Sequence, residues 1–256
     1  GVRVKFIRTH NGILDMKLLE KSINSSTRVI SISWIEFLNG YRNDLEYVGT
    51  LCKKYNVMFV VDGIQGFGVS PIDVKKYNID FFTCGGGKWS FFPPGIGFFY
   101  YSHNSKIKLQ PAFVGWFSVD WKLDFSHLLD KNRKLFTDAR KFEIGTFPYP
   151  LVYGFYEAVK IIKRMNPEHI QKYIFNLIDI IIKYLQNSRF KITSDISNLH
   201  RSSIISFTGN KIKQVYQTLL KHRIIVSLRE GSIRLSPHFY NTIDEINYLI
   251  KILSRF

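Results

Sequence analysis

The first hundred residues alternate short apolar runs with stretches of helical spacing. Residues 28–34 are rich in β-branched side chains and bounded by polar ones, which predicts a strand. Across 43–55, Leu45, Val48, Leu51 and Cys52 fall on one helical face. Residues 57–61 form an uninterrupted apolar run, the pattern of a strand buried on both faces of a parallel sheet. A short helix is expected at 73–77, and strands at 79–84 and 97–101, the last after Pro93-Pro94-Gly95. Residues 2–7 also read as a strand, already under way where the chain opens. Repeated strand–helix–strand order predicts an α/β fold with a mostly parallel sheet.

The second half has a different rhythm. Residues 151–165 read as a helix rich in aromatics and isoleucine, broken by Asn166-Pro167-Glu168, and a second long helix runs to about 186. Short strands at 190–193, 203–207, 224–227 and 232–235 then alternate with helices at 211–222 and 243–254. This predicts a large domain over 1–165 and a smaller C-terminal α+β domain over 166–256. At roughly 150 residues per domain, 256 residues allow one or two.

Composition narrows the class. Hydrophobic residues make up 45% and aromatics 16%, enough for a core and against wholesale disorder. No apolar run approaches the roughly 18 residues of a membrane helix, and no signal peptide is visible. Only two cysteines occur, Cys52 and Cys84, without metal-ligand spacing, so a reducing cytoplasm is the expected compartment. The formal charge is +16, but the basic residues are spread along the chain with no nucleic-acid motif. A basic pocket for a small anionic ligand fits that charge at least as well.

Two residues stand where open α/β sheets bind ligands, at strand carboxyl ends. Asp62 ends the buried run and is followed by Gly63, Gln65, Gly66 and Gly68; Lys88 follows the next strand after Gly85-Gly86-Gly87. A phosphate-loop reading fails, because positions 82 and 89 are Phe and Trp, and a Rossmann reading fails at Pro71. A carboxylate and a lysine so placed suit pyridoxal phosphate, where the lysine forms a Schiff base and the acid keeps the ring nitrogen protonated. A lowered lysine pKa would make the amine reactive. His10, His103, His127, His169, His200 and His222 show no metal spacing, and no metal site is expected.

These residues lie in blocks that resemble a known family. Val60-Val61-Asp62-Gly63-Ile64-Gln65-Gly66-Phe67-Gly68, Gly85-Gly86-Gly87-Lys88-Trp89, Phe142-Glu143-Ile144-Gly145-Thr146 and Ile233-Arg234-Leu235-Ser236-Pro237-His238-Phe239-Tyr240-Asn241-Thr242 occur in the order seen in the class V aminotransferases. That family of fold-type I pyridoxal-phosphate enzymes includes cysteine desulfurases, kynureninases and isopenicillin-N-epimerase-like proteins. Ser33-Trp34-Ile35-Glu36-Phe37 and Gly40-Tyr41-Arg42-Asn43-Asp44-Leu45 give the match its epimerase-like tone. The resemblance implies pyridoxal 5'-phosphate as cofactor, an amino-acid substrate and reaction at Cα. It implies Lys88 as the Schiff-base lysine and proton shuttle, Asp62 at the pyridine nitrogen and Gln65 at the ring hydroxyl oxygen. Thr146 would reach the phosphate in a neighbouring subunit, hence a homodimer, and Arg234 would clamp the substrate carboxylate. Arg42 is a weaker substrate-binding candidate, and His238 is expected to order its loop.

Three departures from the family pattern matter. Gly87 replaces the histidine that usually precedes the lysine. No cysteine lies in 224–234, where desulfurases carry their catalytic thiol. The resemblance also implies an upstream third holding the ring-stacking residue and the phosphate-binding loop. A desulfurase-type β-cleavage enzyme and a non-catalytic truncated remnant are therefore the alternatives.

Overall fold

The computed structural model describes residues 1–105, 109–121, 126 and 132–256. After α1 (Met16–Ser22), the first half builds one sheet from β1 (Val29–Ser33), β2 (Met58–Asp62), β3 (Phe81–Gly85) and β4 (Gly97–Tyr101), in that order. β1, β2 and β3 are parallel and β4 is antiparallel to β3. The mostly parallel sheet expected from the apolar runs is therefore present. α2 (Leu45–Tyr55) joins β1 to β2. Asp44 caps it by accepting from the Tyr47 N–H at 2.9 Å, and Asn56 ends it in the left-handed region.

In the second half, α3 (Tyr149–Met165) and α4 (Pro167–Gln186) meet at Asn166, which caps α4, with Pro167 at its first position. A second sheet pairs β5 (Lys191–Ile192), β6 (Ile205–Thr208), β8 (Ser232–Leu235) and β7 (Ser227–Arg229), all antiparallel. α5 (Ile212–Lys221) and α6 (Ile243–Leu253) complete this half, and a Thr242–Glu245 capping box opens α6. α4 buries one stripe, Ile170, Ile174, Leu177, Ile178, Ile181 and Leu185. A single cluster of buried side chains runs from Leu14 to Leu253 and links both halves.

Three local expectations are corrected. Residues 2–7 form no strand; Val2, Val4 and Phe6 lie exposed, because β-propensity without a pairing partner does not make a strand. Residues 73–77 form a hydrogen-bonded turn, in which Asp73 Oδ1 accepts from the Lys75 and Lys76 N–H groups. The strand expected at 224–227 begins only at Ser227, after the left-handed Arg223.

Parallel strands place their carboxyl ends together. Ser33, Asp62 and Thr83 are in register, so the segments leaving β1, β2 and β3 share one edge of the sheet. Close packing there requires glycine: a Cβ on Gly63 would sit 1.9 Å from the Phe82 ring, and Gly68 has φ +96°.

Candidate active site

The shared edge gathers most of the residues singled out from the sequence. Asp62 is the last residue of β2, and its Oδ1 accepts from the Ile64 N–H at 2.9 Å. Its other oxygen makes no hydrogen bond among the described residues. Lys88 lies three residues past β3, with its side chain open to solvent. Surrounding protein still disfavours its charge: burial lowers its pKa first, Arg234 and Arg229 add to the effect, and Asp62 opposes it. Its ammonium form is thus less favoured than that of a free lysine.

Gln65 is 5% exposed, and its Oε1 accepts from the Trp89 indole N–H at 3.1 Å. Indole can only donate, so this bond turns the Gln65 oxygen toward Trp89 and leaves the amide NH₂ as the outward donor. Trp89 is in turn held by His238, which stacks on its ring and donates Nε2–H to its carbonyl at 3.0 Å. His238 Nδ1 accepts from the Phe239 N–H at 2.8 Å, so the imidazole is neutral. Burial pushes its pKa below the usual imidazole value, and the Trp89 contact only partly offsets this. His238 does order its loop, and it also ties that loop to the residue following Lys88.

A stability prediction follows from the neutral imidazole. The folded pKa is depressed, so the unfolded chain binds the proton more readily. Stability is complete above the unfolded value and falls as pH drops below about 6.5. Melting temperatures across that range are expected to decline, and His238→Phe to flatten the decline.

Arg234, on β8, donates from its Nη1 to the Phe37 carbonyl, and its buried Nε has no partner. Burial lowers its pKa, and Arg229 adds to that. Phe37 belongs to the segment after β1, so Arg234 brings the second sheet to the edge of the first. Glu36 stands beside it, its carboxyl accepting from the Asn43 amide at 2.8 Å. Burial pushes that carboxyl up and nearby Asp62 does the same, while the Asn43 bond works against them.

Two candidates lie elsewhere. Thr146 is exposed on the stretch leading into α3, and no contact joins it to Lys88 or Asp62. Arg42 is a structural residue: its Nε and Nη2 bond the Leu199 carbonyl, and Nη2 also bonds that of Asn198 at 2.8 Å. Its guanidinium is occupied in tying the segment after β1 to the second half. His127 lies outside the described residues. Among the described residues, no three His, Cys, Asp or Glu side chains group to hold a metal, and no helix is long and apolar enough to cross a membrane.

Arg229 was missed in the sequence. It ends β7, with its guanidinium over the Phe37 ring at 5.3 Å. Its signal was Arg229-Glu230-Gly231-Ser232-Ile233-Arg234: a two-residue hairpin, with Glu230 and Gly231 both at positive φ, sets both arginines on one face.

Known proteins share this chain's sequence pattern and fold. Residues 1–249 match the family described as aminotransferase class-V. A probable cysteine desulfurase of Borreliella burgdorferi is 32% identical over 260 residues, covering 93% of this chain and 60% of its own. An uncharacterized aminotransferase of Bacillus subtilis is 24% identical over 247 residues, covering 96% and 64%. The apo cysteine desulfurase of Thermococcus onnurineus superposes with a TM-score of 0.86 at 24% identity, over 98% of this chain and 65% of that one. At that identity the likeness speaks for the fold. The chain spans less than two thirds of the length of these relatives. It belongs to the class V aminotransferase family, with the fold-type I architecture of pyridoxal-phosphate enzymes.

Proposed function

We propose that this chain carries the lysine half of a pyridoxal-phosphate site that reacts an amino acid at Cα. The carrying observation is the convergence of Lys88, Asp62, Gln65 and Arg234 on one sheet edge. The donor set fits the cofactor: a carboxylate with a free oxygen, an amine whose pKa is lowered by burial and nearby arginines, an oriented amide NH₂ and an arginine with an orphaned buried Nε. When bound, pyridoxal phosphate supplies an electron sink for the pair left at Cα.

The chain's own residues do the rest. Lys88 Nζ would hold the cofactor, and its free amine would take the Cα proton and return it. Asp62 keeps a proton on the ring nitrogen. Gln65 Nε2 donates to the ring hydroxyl oxygen, oriented by Trp89. Arg234 holds the substrate carboxylate, for which a planar two-donor guanidinium suits better than lysine. Thr146, exposed and without a contact to this group, is proposed to serve a second subunit's phosphate in a homodimer. Exchange of Cα–H for deuterium in ²H₂O, followed by NMR, tests the reading. Exchange that requires both cofactor and Lys88 supports it; its absence with every amino acid tried, while the cofactor is bound at Lys88, overturns it.

A desulfurase-type β-cleavage is the second reading, favoured by the relatives' names. It needs an accessible thiolate. Cys52 and Cys84, the only cysteines, are buried, and burial first of all pushes both thiols up to about 12. We therefore place transamination, elimination or epimerisation ahead of it.

The position before Lys88 offers a gain-of-function check. Gly87 is exposed, and a Cβ there would meet nothing closer than the Pro94 Cα at 4.0 Å. Gly87→His is expected to tighten cofactor binding by about 10- to 100-fold, the worth of a charge-assisted hydrogen bond. Titration by visible absorbance measures it; unchanged or weaker binding would show that this loop does not face the cofactor phosphate.

A further inference from the structure

The proposed chemistry uses one substrate-binding arginine, yet the site presents two. β7 and β8 pair with Ser227 opposite Arg234 and Arg229 opposite Ser232. Side chains alternate along a strand, so Ser227, Arg229, Ser232 and Arg234 share one face, and the two arginines are diagonal neighbours. Both converge on Phe37: Arg234 bonds its carbonyl and Arg229 lies over its ring. Each has a buried Nε without a hydrogen-bond partner, and neither forms an ion pair among the described residues.

Lys88 lies close enough to feel both guanidinium charges. Against these three cations stands Asp62, the only carboxylate among the influences on Lys88. Glu36 is no counter-ion to the arginines: its carboxyl is bonded to Asn43, and its charged neighbour is Asp62. Glu230 sits in the exposed turn and makes no ion pair with Arg229. Like charges so close, with donors buried and unmet, cost stability unless an anion joins them. A single α-carboxylate on Arg234 leaves Arg229 unmatched.

We propose that the substrate is a dicarboxylic amino acid, its α-carboxylate on Arg234 and its side-chain carboxylate on Arg229. This rests on the reading of Arg234 as the carboxylate clamp. Arg229 then sets specificity: a neutral side chain leaves a buried donor unsatisfied, whereas an acidic one meets it with a charge-assisted hydrogen bond.

Isothermal titration of the protein with glutarate and with valerate tests this without turnover, since the two differ by one carboxylate for one methyl. Glutarate is expected to bind about tenfold tighter or more, as one charge-assisted bond warrants. Arg229→Gln should erase that preference by weakening glutarate, and Arg229→Lys should keep part of it. Equal binding of the two acids by the unaltered protein overturns the proposal. So does an Arg229→Gln variant that weakens both equally, since the arginines would then share one carboxylate. Should Arg229→Gln fail to fold, full retention of the preference in Arg229→Lys would count against the geometry. Arg234→Gln isolates the underlying reading: it should weaken both acids, and if it weakens neither, the clamp and the proposal fall together.

Discussion

Lys88→Ala is expected to lower turnover by about a thousandfold or more and to abolish the borohydride-stable link between protein and cofactor. Two losses combine in this one substitution. On the proposed roles, the covalent anchor would be lost together with the base that moves the Cα proton, a role worth about 10² to 10⁴ by itself. Among the described residues, no other lysine stands at the carboxyl end of a buried strand beside Asp62. Lys88→Arg should not rescue, because a guanidinium does not give up its proton to act as base or nucleophile. The fold should be indifferent. Lys88 is solvent-accessible and forms no ion pair among the described residues, and its removal relieves repulsion with Arg234 and Arg229. Its melting temperature should therefore be unchanged or slightly raised. Steady-state kinetics beside thermal melting separates the two effects, and near-normal turnover in a well-folded Lys88→Ala protein would remove Lys88 from the chemistry.

Asp62→Asn carries the second large effect. The amide oxygen can still accept from the Ile64 N–H, so the turn after β2 should survive. The charge does not survive, and without it nothing keeps the ring nitrogen protonated. Cα deprotonation is expected to slow by about a hundredfold or more, comparable to removing one preorganised electrostatic partner from an active site. Asp62→Ala should be as slow, and also less stable through loss of the turn acceptor. The rate of Cα–H exchange checks both variants. The lysine link should persist in each, which distinguishes Asp62 from Lys88.

Where the physics is local, the sequence was legible. β2 could be read because Phe59 and Val61 belong to an apolar run that only a covered sheet tolerates. Asp62 and Lys88 were visible because carboxyl ends of such strands are shared ground. The misreadings have one common cause, the partner. Residues 2–7 have strand composition but no strand partner among the described residues, and Asp73 closes a turn that five residues cannot extend into a helix. α1 went unread because only seven residues follow its cap, Asp15. The surroundings of Arg42 and Arg229 are set by tertiary contacts that local sequence does not display. The Asn198 and Leu199 carbonyls, over 150 positions away, occupy the first, while a tight hairpin turns the second toward Arg234. His238 was read as ordering its loop, but the contacts that it and Trp89 make were not legible. Their hydrogen bonds to Gln65 and to the segment after Lys88 show that packing also orients the polar groups.

The central claim is that Lys88 is the cofactor lysine. Its most direct test is to incubate the protein with limiting pyridoxal phosphate, reduce with borohydride, digest and map the modified peptide by mass spectrometry. The account predicts a pyridoxyl group on Lys88, lost when Gln65 or Asp62 is unchanged but Lys88 is alanine. A stoichiometric adduct on any other lysine, or none at Lys88 under conditions where cofactor binds, would contradict it.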